Sequence, residues 1–315
     1  MPGRRSAHCG SIRATLALVL AAALPAAPPV CHAQREQSAR PPVEAEAPVQ
    51  RRVRFSFTLH NERAQPLEQA TFSLYAPVRQ TSHQRLERLD ASHPAQVQVD
   101  ALGNQLLTFR LEPLAPYASR VVTIDAQLEL SEHARPLPAP DPSLALFTRA
   151  ERFIESDNPR IRDIARTLRS DAPMEAARSS YHWVRSALGR TGFTPEDRGA
   201  LRALQDKAGD CTEHAYLLAA LLRANGIPAR VMGGYLMAES GLVRPHDYHN
   251  WVEFYAEGAW RIADAHQGNF ARNATRYLAT RVMSKALASA QGATHPLGAS
   301  HRYAVAGPGL KVTMN

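Results

Sequence analysis

Four of the eleven residues from His133 to Ser143 are proline, and the hydrophobic pattern has a different period on each side of them. Proline fixes φ and lacks a backbone donor, so such a stretch sustains neither a helix nor a central strand. Residues 134–142 therefore read as a linker. Before it, Val53, Phe55, Phe57 and Leu59 alternate with Arg54, Ser56 and Thr58, the period of two of a half-buried strand. Runs at 70–75, 97–99, 105–111 and 120–130 recur between turn signals such as Ala76-Pro77 and Gly103-Asn104. This predicts an antiparallel β-sandwich over residues 51–133. After the linker the period becomes helical, with helices expected over 144–154, 161–168, 174–188 and 199–206. The fold class expected is α+β, an N-terminal sandwich followed by a helix-bearing domain over 143–315.

Three cysteines, Cys9, Cys31 and Cys211, are too few for a disulfide framework in 315 residues. Two of them fall in a segment with the pattern of an export signal. Arg4, Arg5 and Arg13 precede an apolar run over 14–24, Pro25, Pro28 and Pro29 break it, and Ala33 offers a small residue at a cleavage point. The run is about eleven residues, whereas a spanning helix needs about 20. Removing residues 1–33 leaves 282 residues, lowers the formal charge from +8 to +5, and leaves Cys211 as the only thiol. Residues 34–50 carry almost no large apolar side chain and read as a disordered leader. The remaining charge is scattered, with no basic run interleaved with aromatics, which argues against a nucleic-acid partner. The chain is expected to be exported, periplasmic or secreted, with no stable membrane span after cleavage. A lone thiol in an oxidising compartment calls for a reason.

That thiol follows Gly209-Asp210 and opens the run Thr212 to Ala224, which Asn225-Gly226 ends. Gly209 suits a tight turn, Asp210 an N-cap, and Ala215, Leu218 and Leu222 an apolar face. At such a helix start the unpaired amides and the positive end of the macrodipole favour thiolate over thiol. A thiolate nucleophile needs a base, and the base an orienting acceptor. Downstream, residues 249–255 and 260–264 read as an antiparallel pair turning at Gly258. The first strand opens on His249 and the second closes on Asp264, so both side chains fall at one end of the hairpin. The order Cys211, His249, Asp264 fits a cysteine acyl-transfer triad. Glu253 shares the His249 face and is placed to pair with Arg230.

These residues resemble the transglutaminase-like superfamily. The resemblance rests on Gly209-Asp210-Cys211, the Leu221 to Arg230 stretch, Gly233-Gly234-Tyr235, His249-Asn250-Trp251-Val252-Glu253, and Trp260 ahead of Asp264, and it spans about residues 205–266. It implies a papain-like core with a cysteine-bearing helix on an antiparallel sheet. It also implies Cys211 as nucleophile, His249 as general base and acid, and Asp264 as the group that orients the imidazole. The chain departs from the family pattern at Asn250, often alanine, and at Ala265-His266, usually Pro-Thr. By strand alternation Asn250 points away from the face of His249 and Trp251.

Read this way, the chain is a thiol enzyme that acts on amide bonds of a protein or peptide through an acyl-thioester, with hydrolysis and transamidation both open. The alternative is a catalytically silent binding or scaffold module of the cell envelope. His246, His249, Asp264 and His266 offer a competing metal-ligand set. His246 and His249 do not share a strand face, however, and no second cysteine is available, so neither metal nor cofactor is expected. His214 is expected at the surface or behind the site. Residues 277–287 read as a helix and 310–314 as a closing strand. The stretch 288–300 is either a mobile loop over the site or a connector.

Overall fold

The computed structural model describes residues 47–137, 144–284 and 303–315. The expected export signal, the leader up to residue 46, the linker from 138 on and the stretch 288–300 lie outside the described residues. The first six strands are β1 (Val49–Asn61), β2 (Ala70–Ala76), β3 (Gln84–Ala91), β4 (Gln96–Val99), β5 (Gln105–Leu111) and β6 (Ser119–Leu130). Then come helices α1 (Pro159–Thr167) and α2 (Pro173–Ala187), strand β7 (Gly189–Arg190), helix α3 (Ala200–Asp206), strand β8 (Ala208–Gly209) and helix α4 (Cys211–Ala224). They are followed by β9 (Ala229–Leu236), β10 (Gly241–Leu242), β11 (Tyr248–Ala256), β12 (Ala259–Asp264), β13 (Asn269–Phe270) and β14 (Tyr277–Met283). Strands β15 (Tyr303–Ala306) and β16 (Leu310–Met314) close the chain.

Two sheets form the sandwich. One runs β10-β1-β6-β3, with β16 also paired to β1, and the other runs β15-β2-β5-β4. The alternation along β1 buries Val53, Phe55, Phe57 and Leu59 against Phe72, Leu107, Phe109, Val122 and Ile124. The closing strand expected at 310–314 forms, and it closes the sandwich by pairing antiparallel with β1. Strand β3 escapes the alternation rule because a register shift between Leu86 and Arg88 breaks its period of two.

The second half is a five-stranded sheet, β13-β12-β11-β9-β14, with α4 across one face. Helix α4 is expected to be amphipathic, but it is buried on nearly all sides, and α1, α2 and α3 surround it. Gly233-Gly234 belongs to β9, where a Cβ on Gly234 would collide with the Leu278 carbonyl of the neighbouring strand. Two helical expectations fail. Residues 277–283 form β14, an edge strand whose seven residues are all buried, so neither period shows. Its outward backbone groups are bonded by the sandwich: Gln84 accepts from Ala279 N and donates to Ala279 O (both 2.9 Å), and Asn104 does the same for Val282. This long-range pairing, absent from any local window, decides for strand. Residues 144–154 hold only a 3-10 turn at Leu146–Thr148 and a bridge between Glu151 and Ile154, where Phe153 has φ of 75°.

Candidate active site

Helix α4 starts on a complete capping box. Asp210 accepts from Thr212 N at 2.8 Å, and Glu213 reaches back to accept from Asp210 N at 3.1 Å. These bonds satisfy amides that a helix start otherwise leaves unpaired. Gly209 serves by size and not by positive φ, since a Cβ there would run into the Glu213 side chain that closes the box. Arg198 holds the same Glu213 oxygen at 3.1 Å, and the other Asp210 oxygen accepts from Thr194 N at 2.9 Å. The first helical residue is Cys211, a free thiol at intermediate exposure.

On the sheet, Trp251, Ile262 and Tyr277 pack on one face, while Val252, Phe254 and Ala263 pack on the other against α4. His249 stands near the start of β11, and its Nε2 donates to Asp264 Oδ2 at 2.7 Å. Cys211, at the start of α4, is close enough to the same imidazole to favour its protonated form. The structure thus joins His249 and Asp264 by a direct hydrogen bond and sets Cys211 beside them. Burial alone lowers the affinity of the His249 ring for a proton. The Asp264 carboxylate, with a smaller contribution from Cys211, outweighs burial and lifts the pKa to about 10. Asp264 is also almost fully buried, which raises its pKa, but the His249 charge and bonds from His249, Gln267 N and Tyr277 carry it below the ordinary carboxylate value. At neutral pH the group therefore holds an imidazolium against the Asp264 carboxylate.

Several neighbours have roles that the sequence did not show. The Tyr277 hydroxyl donates to Asp264 Oδ2 at 2.9 Å and accepts from Asn269 Nδ2 at 3.2 Å. Tyr277 lies on the strand read as a helix, so its approach to Asp264 had no local signal. Ala265-His266 belongs to a tight turn in which Gln267 N donates to Asp264 Oδ1 and Gly268 N to the Asp264 carbonyl, both at 2.9 Å. His266 packs with its ring centroid 5.6 Å from His249 and 5.0 Å from His214. Burial and the positive charge of His249 hold His266 down at about 4. His214, placed at the surface by one expectation, is buried, and its Nδ1 is 2.8 Å from the Asp210 carbonyl. His246 remains mostly exposed beside Asp247. Arg230 donates twice to Glu253 Oε2, at 3.0 and 2.7 Å, with its guanidinium 4.1 Å from the Trp260 ring centre. Among the described residues, no three His, Cys, Asp or Glu side chains are arranged to hold a metal ion. No helix there is long and apolar enough to cross a membrane.

Residues 162–265, which include Cys211, His249 and Asp264, match the model of the transglutaminase-like superfamily. An uncharacterized protein of Mycobacterium leprae is 31% identical over 100 residues, which cover 30% of this chain and 36% of that relative, about a third of its length. Among solved structures, a Cytophaga hutchinsonii protein described as a candidate cysteine protease overlays with a TM-score of 0.55. That overlay has 16% identity and covers 85% of this chain and 92% of the other. At that identity the likeness is one of fold, and it extends over the sandwich as well as the helix-bearing half. The segment 162–265, which holds Cys211, His249 and Asp264, thus belongs to the transglutaminase-like superfamily.

Proposed function

We propose that the protein is an exported thiol enzyme that transfers or hydrolyses acyl groups from amide bonds of a protein or peptide. The observation that supports this reading is the 2.7 Å His249–Asp264 hydrogen bond beside the free, partly exposed Cys211 at the start of α4. In the proposed reaction the Cys211 thiolate, beside the His249 imidazolium, attacks the amide carbonyl and its C–S bond forms as the carbonyl π pair moves to oxygen. The resulting oxyanion is met by the Cys211 backbone N–H, which as the first helical amide has no intrahelical acceptor. His249 gives its proton to the departing nitrogen as the C–N bond breaks, which leaves an acyl-thioester and a neutral imidazole. That imidazole then takes a proton from the incoming water or amine, the thioester C–S bond breaks, and the starting charges return. Asp264 stays ionised throughout and holds the imidazole by its Nε2. Export is supported by the arginine-led apolar run and its small-residue cleavage point in the first 33 residues.

Intact-protein mass spectrometry of candidate substrates, with and without a primary amine, tests this reading. A gain of about one dalton per site marks deamidation, amine incorporation marks transfer, and fragments mark proteolysis. Each should vanish in Cys211→Ala. Activity that persists in that variant would contradict the proposal.

A further inference from the structure

The residues that follow the nucleophile and the base in sequence are bonded to each other. Asn250 Nδ2 donates to Thr212 Oγ1 at 2.9 Å, and both side chains are buried. Asn250 lies on the α4 face of β11, opposite to His249, while Thr212 is one residue into α4 from Cys211. Each is one peptide link, about 3.8 Å between Cα atoms, from its neighbour. The contact therefore ties the start of α4, one residue from Cys211, to β11, one residue from His249.

Stability alone does not account for an asparagine here. Its Oδ1 is buried with no hydrogen-bond partner among the described residues, a desolvation cost an alanine would avoid. The space beside it is kept open by Gly233, on which a Cβ would come 3.3 Å from Oδ1.

We infer that the Asn250–Thr212 hydrogen bond is a positioning clamp that fixes the Cys211 sulfur against the His249 ring. The inference rests on the acyl-transfer reading above. It sets two effects in opposition: cutting the clamp leaves the fold as stable as before while slowing the thiol.

The test is the rate of Cys211 alkylation by iodoacetamide at pH 6 and pH 10, with thermal melting measured in parallel. In Asn250→Ala/Thr212→Val the ratio of the rate at pH 6 to that at pH 10 should fall about tenfold, the equivalent of one hydrogen bond, with the melting temperature kept or raised. Thr212→Ser, which keeps the hydroxyl, should restore the ratio lost in Thr212→Val. A double variant with the wild-type ratio, or one whose rates fall alike at both pH values along with its melting temperature, would overturn the clamp. A wild-type ratio equal to that of the urea-unfolded protein would instead remove the acyl-transfer reading, and the clamp with it.

Discussion

Tyr277 and His249 donate to the same oxygen of Asp264, Oδ2, at 2.9 and 2.7 Å, the first from the edge strand β14 and the second from the central strand β11. The shared oxygen keeps the carboxylate ionised although it is buried, because each donor stabilises the charged form. Tyr277→Phe removes one donor without opening a cavity. Turnover should fall about 3–10-fold, in line with the loss of one buried hydrogen bond. Asp264 should also regain its proton at a higher pH, so the acid limb of a pH–rate profile should move upward. Steady-state rates from pH 3 to pH 8 would show both effects, and an unmoved acid limb would count against the shared-oxygen account.

The protonation of His249 has a definite sign with pH. Its folded pKa of about 10 lies above the ordinary 6.5, so the stability it contributes is fully present below pH 6.5 and is lost as the pH rises through about 10. Asp264, held below its ordinary 3.8, contributes stability above that pH and loses it as the pH falls further. The pair is therefore fully effective between about pH 3.8 and 6.5. Melting temperature should decline from pH 6.5 toward pH 10 in the wild type. In Asp264→Asn, burial prevails and the ring loses its proton near or below 6.5. Imidazole resonances followed by NMR across this range would show the difference directly.

The cap on α4 gives a prediction about stability. Asp210→Ala removes the acceptor of both Thr212 N and Thr194 N. Loss of a capping aspartate costs about 0.5–2 kcal/mol, and the second bond places this site toward the upper end. Urea unfolding should show the loss in midpoint with an unchanged slope.

Gln84 joins the sandwich to the sheet that carries the site. Gln84→Leu would leave the Ala279 N–H without its acceptor, while the Ala279 C=O keeps the Val78 N–H, at about 1–3 kcal/mol for the one buried group left unpaired. Hydrogen exchange at Ala279 should quicken by more than that at Val252, in the middle of the same sheet. Equal acceleration at both would mean that the amide contact is not local to β14.

The sequence made the site legible wherever one local pattern held both the chemistry and its support. Gly209-Asp210-Cys211 declares a capped helix start, and the hairpin from His249 to Asp264 places its two ends together by antiparallel geometry alone. The alternation of β1 and β6 likewise revealed the sandwich. What stayed hidden depends on contacts made across the chain. Tyr277 sits on a strand buried on both faces, and Gln84 and Asn104, nearly 200 residues away, complete its hydrogen bonding. The bulge in β3 moves Leu86 and Leu89 out of a two-residue period. Asn250 was placed on the correct face, but nothing in the pattern showed that Thr212 waits there for it.

The central claim is that His249 activates Cys211, and the alkylation rate of that one residue at pH 7 tests it most directly. Peptide mapping after a short pulse of iodoacetamide should find Cys211 labelled in the wild type, no label at that position in Cys211→Ala, and labelling slowed at least about tenfold in His249→Ala. Labelling of Cys211 in His249→Ala at the wild-type rate would contradict the account.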